Sequence, residues 1–289
     1  MKTPIKTLLK PFSLAFLIAA TLPTQSAYIR TSPPANTIIP ATGPSPHFCK
    51  AIGGRNYDWG TSLIQTSDGG YAIAGYTSSF GAGETDVYVV KLDAHGNLQW
   101  TTTIGGPESD GGNSLIQTSD GGYAIAGYTS SFGAGGHDVY VVKLDANGNL
   151  QWTTTIGGKK EDVGTSLIQT SDGGYAIAGF TSSFGAGEWD VYVVKLDAHG
   201  NLQWTKTIGG ENDDWGYPLI QTAGGGYAIA GDTKSFGAGK RDVYVVKLDK
   251  NGDACCAVSQ TSQVGPGGGT LSSPTSSIGS GGTLTNQCP

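Results

Sequence analysis

The sequence predicts an all-β fold made of four repeated units, and three observations support this prediction. Glycine accounts for 47 of the 289 residues, more than twice its usual share of about 7%. No segment has the sustained apolar periodicity of a helix. The tripeptide Ile-Gly-Gly recurs with a period of 52 residues, beginning at Ile52, Ile104, Ile156 and Ile208. A fixed period of this length is typical of repeat architectures.

Each unit contains four strand-like segments separated by turn signals. In the first unit these segments are Ser62–Thr66, Tyr71–Thr77, Asp86–Leu92 and Leu98–Thr103. The Asp-Gly-Gly sequence after the first segment supplies the positive φ that a tight hairpin turn requires. Four antiparallel strands per repeat match one blade of a β-propeller. We therefore predict a propeller of four four-stranded blades over residues 48–257.

The ends of the repeat region suggest how such a ring could close. Phe48 precedes Ile52 at the same distance as Trp204 precedes Ile208, so residues around Phe48 resemble a fourth strand without its first three. Cys256 falls at the corresponding position of the last unit, where the earlier units have Trp100, Trp152 and Trp204. The N-terminal strand is therefore expected to complete the last blade and remove the open sheet edges. An open stack and a larger ring made by two chains are the alternatives.

The flanking regions predict export. Residues 1–27 have three lysines, a twelve-residue apolar segment and then small residues, which is the pattern of a secretory signal peptide. The apolar segment is shorter than the roughly 20 residues that span a bilayer. The predicted location is therefore secreted or cell-surface, with no transmembrane segment after signal removal. Residues 28–47 are interpreted as a Pro-rich linker, and residues 258–289 as a Ser/Thr/Gly-rich disordered tail.

The charge of the chain excludes some partners. The formal net charge is −6, and loss of the three signal-peptide lysines makes it more negative. Such a chain lacks the basic footprint of a nucleic-acid-binding protein. The expected partners are a glycan or a surface protein, with no nucleic acid, and the chain is expected to be a monomer.

The four cysteines are candidates for disulfide bonds, because export places them in an oxidising compartment. They are Cys49, Cys255, Cys256 and Cys288. A bond from Cys49 to Cys255 or Cys256 would join the two ends at the expected closure, and such a long loop is worth about 5 kcal/mol in the chain-entropy model. The pairing stays open. No Cys-x-x-Cys motif or zinc spacing is present, so neither a metal nor a cofactor is predicted.

One aspartate per unit follows the Ile-Gly-Gly tripeptide: Asp58, Asp110, Asp162 and Asp214. A ring of carboxylates could serve glycoside or cation chemistry. Alternatively, each side chain caps the turn that begins its blade. The four-fold repetition favours capping, because an asymmetric reaction needs one distinctive pair. The same reasoning applies to the aspartate that begins the third strand of each unit, such as Asp86. No catalytic residue is predicted.

The differences between the repeats indicate a binding surface. Most of them fall in two places, the segment after Ile-Gly-Gly and the two residues before the third strand. In a four-stranded blade these two places lie on one face, and exposed aromatic rings among polar groups suit sugar stacking or protein contact. Loop drift is the alternative. The candidate binding residues are Tyr57, Trp59, His137, Trp189, Trp215 and Arg241.

The segments Asp68–Gly75 and Asp138–Trp152 resemble a family of exported bacterial and archaeal repeat proteins. The blades also loosely resemble kelch and quinoprotein blades, but Ala74 and Gly75 stand where kelch has two glycines, and no quinoprotein cofactor set can be matched. Some members of the resembled family carry an endoglucanase name, which implies a glycoside hydrolase as one alternative.

The leading hypothesis is a secreted, non-catalytic binding module. A glycoside hydrolase and a structural envelope or adhesion protein are the alternatives.

Overall fold

The computed structural model describes residues 28–31, 47–254, 263–266, 270–272 and 283–286. All of its regular elements are strands. Within these ranges no helix is long and apolar enough to cross a membrane. The predicted signal peptide, most of the predicted linker and most of the predicted tail lie outside the described residues.

The first three units form the four-stranded sheets that the sequence predicts, whereas the last unit is described with three strands rather than four. The strands of the units are β3 (Asp58–Gln65), β4 (Tyr71–Thr77), β5 (Asp86–Leu92), β6 (Leu98–Gly105), β7 (Asp110–Gln117), β8 (Tyr123–Thr129), β9 (Asp138–Leu144), β10 (Leu150–Gly157), β11 (Asp162–Gln169), β12 (Tyr175–Thr181), β13 (Asp190–Leu196), β14 (Leu202–Gly209), β15 (Asp214–Gln221), β16 (Tyr227–Thr233) and β17 (Asp242–Leu248).

Five shorter strands flank the units. The strands β1 (Tyr28–Thr31) and β2 (Lys50–Gly53) pair with each other. The strands β18 (Gln263–Pro266), β19 (Thr270–Ser272) and β20 (Thr283–Asn286) pair with β14, β10 and β6. They add a fifth strand to each of the first three sheets.

Each unit is an antiparallel meander in which neighbouring strands in the chain are neighbours in the sheet. Glycines with positive φ occupy the hairpin turns, for example Gly69 (80°) and Gly96 (74°) in the first unit, because side-chain-bearing residues disfavour that conformation. The predicted bounds of the second and third strands are confirmed. The first strand begins earlier than predicted, at Asp58, and contains a bulge between Gly60 and Ser62.

Successive sheets pack face to face. Small and β-branched side chains of the first sheet, such as Ala74 and Val89, share a buried cluster with larger ones of the second, such as Tyr123, Ile125 and Tyr140. Equivalent residues form the cores between the second and third sheets and between the third and fourth. Small side chains facing large ones let the layers interdigitate at native density. The chain therefore builds the same interface three times.

The expected closure of the ring by the N-terminal strand is not found. Among the described residues β2 pairs with β1, and β17 is the last strand of a three-stranded sheet. Leu63 on the first sheet is 65% exposed, and Val243 on the last is 84% exposed. Because these apolar side chains would be covered in a closed ring, the four units form an open array.

Candidate functional site

In each unit the variable segment after Ile-Gly-Gly lies beside the start of the loop between the second and third strands. In the first unit the backbone N–H of Ser78 donates to the carbonyl of Tyr57 at 2.8 Å, and the N–H of Asn56 donates to Ser79 Oγ at 2.9 Å. The same backbone bond recurs in the other three units. The segment after Ile-Gly-Gly is thus fixed to the loop between the second and third strands.

Neighbouring units bring their variable positions together. The residue before the third strand of one unit accepts a backbone hydrogen bond from the first-strand aspartate of the next unit. The carbonyl of His137 accepts from Asp162 N–H, and that of Trp189 accepts from Asp214 N–H, both at 2.7 Å. Each junction therefore carries variable side chains from two units. We call the surface formed by Tyr57, Trp59, His137, Trp189, Trp215 and Arg241 the variable face.

An aromatic cluster lies at the junction of the third and fourth units. The rings of Trp189 and Trp215 are 5.3 Å apart between centroids, and Phe180 lies 4.4 Å from Trp215. The Arg241 guanidinium is 5.5 Å from the centroid of a Trp215 ring, close enough for a cation–π interaction. Asp232 accepts a 2.6 Å hydrogen bond from Arg241 and so fixes it. We call Phe180, Trp189, Trp215 and Arg241 the tryptophan cluster.

The other predicted binding residues form two separate groups. His137 Nδ1 lies 2.7 Å from Glu161 Oε2, an ion pair when the imidazole is protonated, and its ring is 4.6 Å from Tyr128. In the first unit Tyr57, which is 71% exposed, stacks on Trp59 at 5.1 Å. The six predicted residues are thus distributed over three contact groups along the array.

One position of the variable face was missed from the sequence. The penultimate residue of the second strand supports the variable side chains in every unit: Tyr76 contacts Trp59, Tyr128 contacts His137, Phe180 contacts both tryptophans of the cluster, and Asp232 holds Arg241. The signal for it was the change from Tyr to Phe and then Asp at this aligned position.

The aspartates at Asp58, Asp110, Asp162 and Asp214 each bind the loops beside them. In every unit the carboxylate accepts from a glycine N–H at 2.7 to 2.8 Å. It also accepts from a serine hydroxyl of the loop after the second strand. Asp110, Asp162 and Asp214 have no exposed surface. These contacts hold the variable segments in place.

In the second, third and fourth units an aspartate of the preceding unit faces the first-strand carboxylate. Asp86 Oδ1 and Asp110 Oδ2 both lie next to Gly105, within 2.6 Å of the position that a Cβ there would take. Asp86 is fully buried, and its Oδ1 has no hydrogen-bond partner among the described residues. Burial, reinforced by the Asp110 charge, raises the pKa of Asp86 to about 6. Burial likewise raises the pKa of Asp138 to about 6.

Only part of the predictions about cysteines and metals falls within the described residues. Cys49 is exposed, whereas Cys255, Cys256 and Cys288 lie outside the described residues, so the disulfide pairing stays a prediction. In residues 47–254 and the short described strands, no group of three or more His, Cys, Asp or Glu side chains is arranged to hold a metal ion.

Two comparisons with known proteins give matches. Residues 118–150, which lie in the second unit, match a family described as a β-propeller domain of unknown function, DUF5122. The chain is also 32% identical over 166 residues to the regulatory protein FlaEY of Caulobacter vibrioides. That alignment covers 49% of this chain and 17% of the relative, so the chain spans a small part of the relative's length. Together with the four-stranded meander sheets, the family match supports blades of the β-propeller type.

Proposed function

We propose that the chain is a secreted or cell-surface binding module without catalytic activity, and that it binds its partner through the variable face. The tryptophan cluster is the observation that supports this most strongly. Two tryptophans, a phenylalanine and an arginine from two units converge there, at positions that vary between the units, although the first unit also has a tryptophan, Trp59, at the position of Trp215. Core positions such as Trp100, by contrast, are the same in the first three units.

The chemistry of the face favours a glycan over a surface protein. Partly exposed aromatic rings, which are stacked at Tyr57 and Trp59 and tilted in the tryptophan cluster, provide apolar platforms with polar rims that suit the faces of sugar rings. Arg241, held by Asp232 beside Trp215, can donate hydrogen bonds to hydroxyl oxygens. The relative's name, a regulatory protein, also agrees better with binding than with catalysis.

The glycoside hydrolase alternative has less support. A hydrolase needs two carboxyl groups that reach the substrate, and the first-strand aspartates of the last three units have no exposed surface. An envelope or adhesion role remains compatible with the binding module, because the predicted tail could serve as its stalk.

The proposal predicts that the tryptophan cluster is needed for binding. We expect Trp189→Ala and Trp215→Ala each to weaken binding to a soluble polysaccharide at least tenfold, because stacked aromatic residues at such sites contribute about 1.4 kcal/mol or more. The measurement is affinity electrophoresis of the full chain against a panel of soluble glycans, followed by calorimetry on any that retard it.

His199→Ala is the matched control. His199 is an exposed histidine in a hairpin turn at the opposite edge of the sheet, and its loss should leave binding unchanged. If a glycan still retards the electrophoretic migration of a variant that lacks both tryptophans, the assignment of glycan binding to the variable face is wrong. If no glycan binds and a surface protein is captured through the same two tryptophans, the face is correct and the glycan preference is wrong.

A further inference from the structure

The two ends of the array expose apolar surfaces of different composition. The first sheet exposes Leu63 on the side that, in later units, faces the preceding unit; we call this side the leading face. Together with Tyr88 and Val90 it lines a groove of about 450 Å³. The last sheet exposes Val243 and Val245 on the side that, in earlier units, faces the following unit; we call this the trailing face.

Both faces are halves of an interface that the chain already contains. Leu63 is 65% exposed, whereas its equivalents Leu115, Leu167 and Leu219 are each 3% exposed. Val243 and Val245 are 84% and 69% exposed. Their equivalents in the first three units are at most 1% exposed: Val87, Val139 and Val191 for Val243, and Val89, Val141 and Val193 for Val245. The trailing face of one chain is therefore chemically complementary to the leading face of another.

The position of strand β2 also indicates that the first sheet can accept a preceding unit. Phe48 contacts Tyr71 edge to face at 5.7 Å, as Trp100 contacts Tyr123 at 5.5 Å. A Cβ at Gly96 would meet the Phe48 ring, just as a Cβ at Gly148 would meet Trp100. The N-terminal strand thus occupies the place of the fourth strand of a unit that precedes the first. The sheet β15–β16–β17 is described without a fourth strand.

The geometry of the array sets how many units a ring requires. The aromatic contacts that join successive units have nearly the same centroid distances, 5.5, 5.6 and 5.6 Å, and ring angles, 69°, 68° and 72°, so the units pack in nearly the same way at all three junctions. A quarter turn per unit would bring the fourth unit against the first, and the exposed Leu63 and Val243 show that it does not. A closed ring therefore needs more than four units.

We propose that two copies of this chain join head to tail, the trailing face of each against the leading face of the other, in an eight-unit ring. Propellers typically contain 4–8 blades, and eight is the multiple of four that this range offers above four. A head-to-tail contact forms a closed assembly when its rotation completes a circle. The proposal replaces the monomer expected from the sequence and is independent of the ligand of the variable face.

Some contacts of the internal interfaces would be retained between copies and others lost. Gln117 Oε1 accepts a hydrogen bond from the backbone N–H of Ser67 in the preceding unit. In the dimer the equivalent Gln65 of one copy could accept a hydrogen bond from the backbone N–H of Ala223 in the other copy. Ser62 Oγ accepts from Leu115 N–H, but Pro218 stands at the equivalent position in the fourth unit and has no hydroxyl. The contact between copies is therefore weaker than those within the chain, and the dimer should dissociate on dilution.

The test is the mass of the full chain by sedimentation equilibrium, with one variant for each face. We expect the wild type to have twice the chain mass. Leu63→Lys blocks the leading face, and the double variant Val243→Glu/Val245→Glu blocks the trailing face. Each should raise the dissociation constant about 100-fold or more, because it places charge in an apolar interface. All three side chains are already exposed in the single chain, so both variants should keep the wild-type circular dichroism spectrum.

Mixing the two variants distinguishes a head-to-tail contact from other kinds. The leading-face variant keeps an intact trailing face and the trailing-face variant keeps an intact leading face, so the equimolar mixture should recover dimers with one copy of each. Lys250→Glu, in an exposed turn, is the charge control and should remain dimeric. A monomeric wild type at every concentration, an open-ended polymer, or a mixture that stays monomeric would each overturn the proposal.

Discussion

Replacing Gly127 with alanine should destabilise the chain by about 3 kcal/mol or more, the upper part of the range for overpacking in a tightly packed interior. Gly127 lies on the second strand of the second unit. A Cβ there would lie 1.9 Å from the carbonyl oxygen of Gly111 and 3.0 Å from Gly112 Cα. Both contacts are with backbone atoms of β7 beside its bulge. Relief would therefore require the first and second strands to separate.

The measurement is urea unfolding followed by circular dichroism, and Gly224→Ala is the matched control. A Cβ at Gly224 would have no atom within 4 Å. Its replacement should change the free energy of unfolding by at most about 0.5 kcal/mol. Equal effects of the two substitutions would show that the close approach of the strands at Gly127 is not a constraint on the fold.

The variant Asp86→Asn should stabilise the chain by up to about 3 kcal/mol at pH 7 and by little at pH 4. Burial raises the pKa of Asp86 from 3.8 to about 6, so at pH 7 the native chain holds a buried carboxylate opposite Asp110. The difference between these two pKa values corresponds to about 3 kcal/mol. An asparagine oxygen can still accept from the N–H groups of Ala82 and Gly83, which donate at 3.0 and 3.2 Å.

The direction in which the free energy of unfolding changes with pH follows from the number of protons that the native and unfolded chains bind at Asp86. Between pH 3.8 and about 6 the native chain retains the Asp86 proton more strongly than the unfolded chain does. The stability that this proton contributes is present at low pH and is lost as the pH rises through the native pKa. The gain from Asp86→Asn should therefore grow over this interval and level off above it.

Asp242→Asn is the control for Asp86→Asn. Asp242 accepts the same two backbone N–H bonds, from Ala238 and Gly239, but in the single chain, measured at a protein concentration low enough to dissociate a dimer, no following unit presents a carboxylate to it. Urea unfolding of both variants at pH 4, 5, 6 and 7 measures the effect. A loss of stability in Asp86→Asn that does not vary with pH would contradict the charged, buried state of Asp86.

Much of the fold could be predicted from the sequence because its signals are local. Positive-φ glycines such as Gly69 and the β-branched segment Asp86–Leu92 determine turns and strands by themselves. The start of the first strand was harder, because Gly60 and the bulge beside it break the alternation. The prediction that the ring closes within one chain was wrong. The rotation between two sheets depends on how Ala74 and Val89 pack against Tyr123 and Ile125 of the next unit, and no local sequence pattern encodes that angle.

The sequence indicates candidate binding positions but not the contacts between them. Variation between repeats identified Trp189 and Trp215, which the structure places 5.3 Å apart. The supporting role of Phe180 depends on a contact with residues of its own unit and the next, and the change from Tyr to Phe and then Asp at this position shows variation without indicating that contact. The aspartate pairs were also missed, because Asp86 and Asp110 meet only when two units pack together.

Electron cryomicroscopy of the full chain tests the central claim most directly, because end-on views of a propeller allow its blades to be counted. An open array of four units with complementary free faces predicts a ring of eight blades with two-fold symmetry, in which Leu63 and Val243 are covered. A ring of four blades closed within one chain would contradict the account.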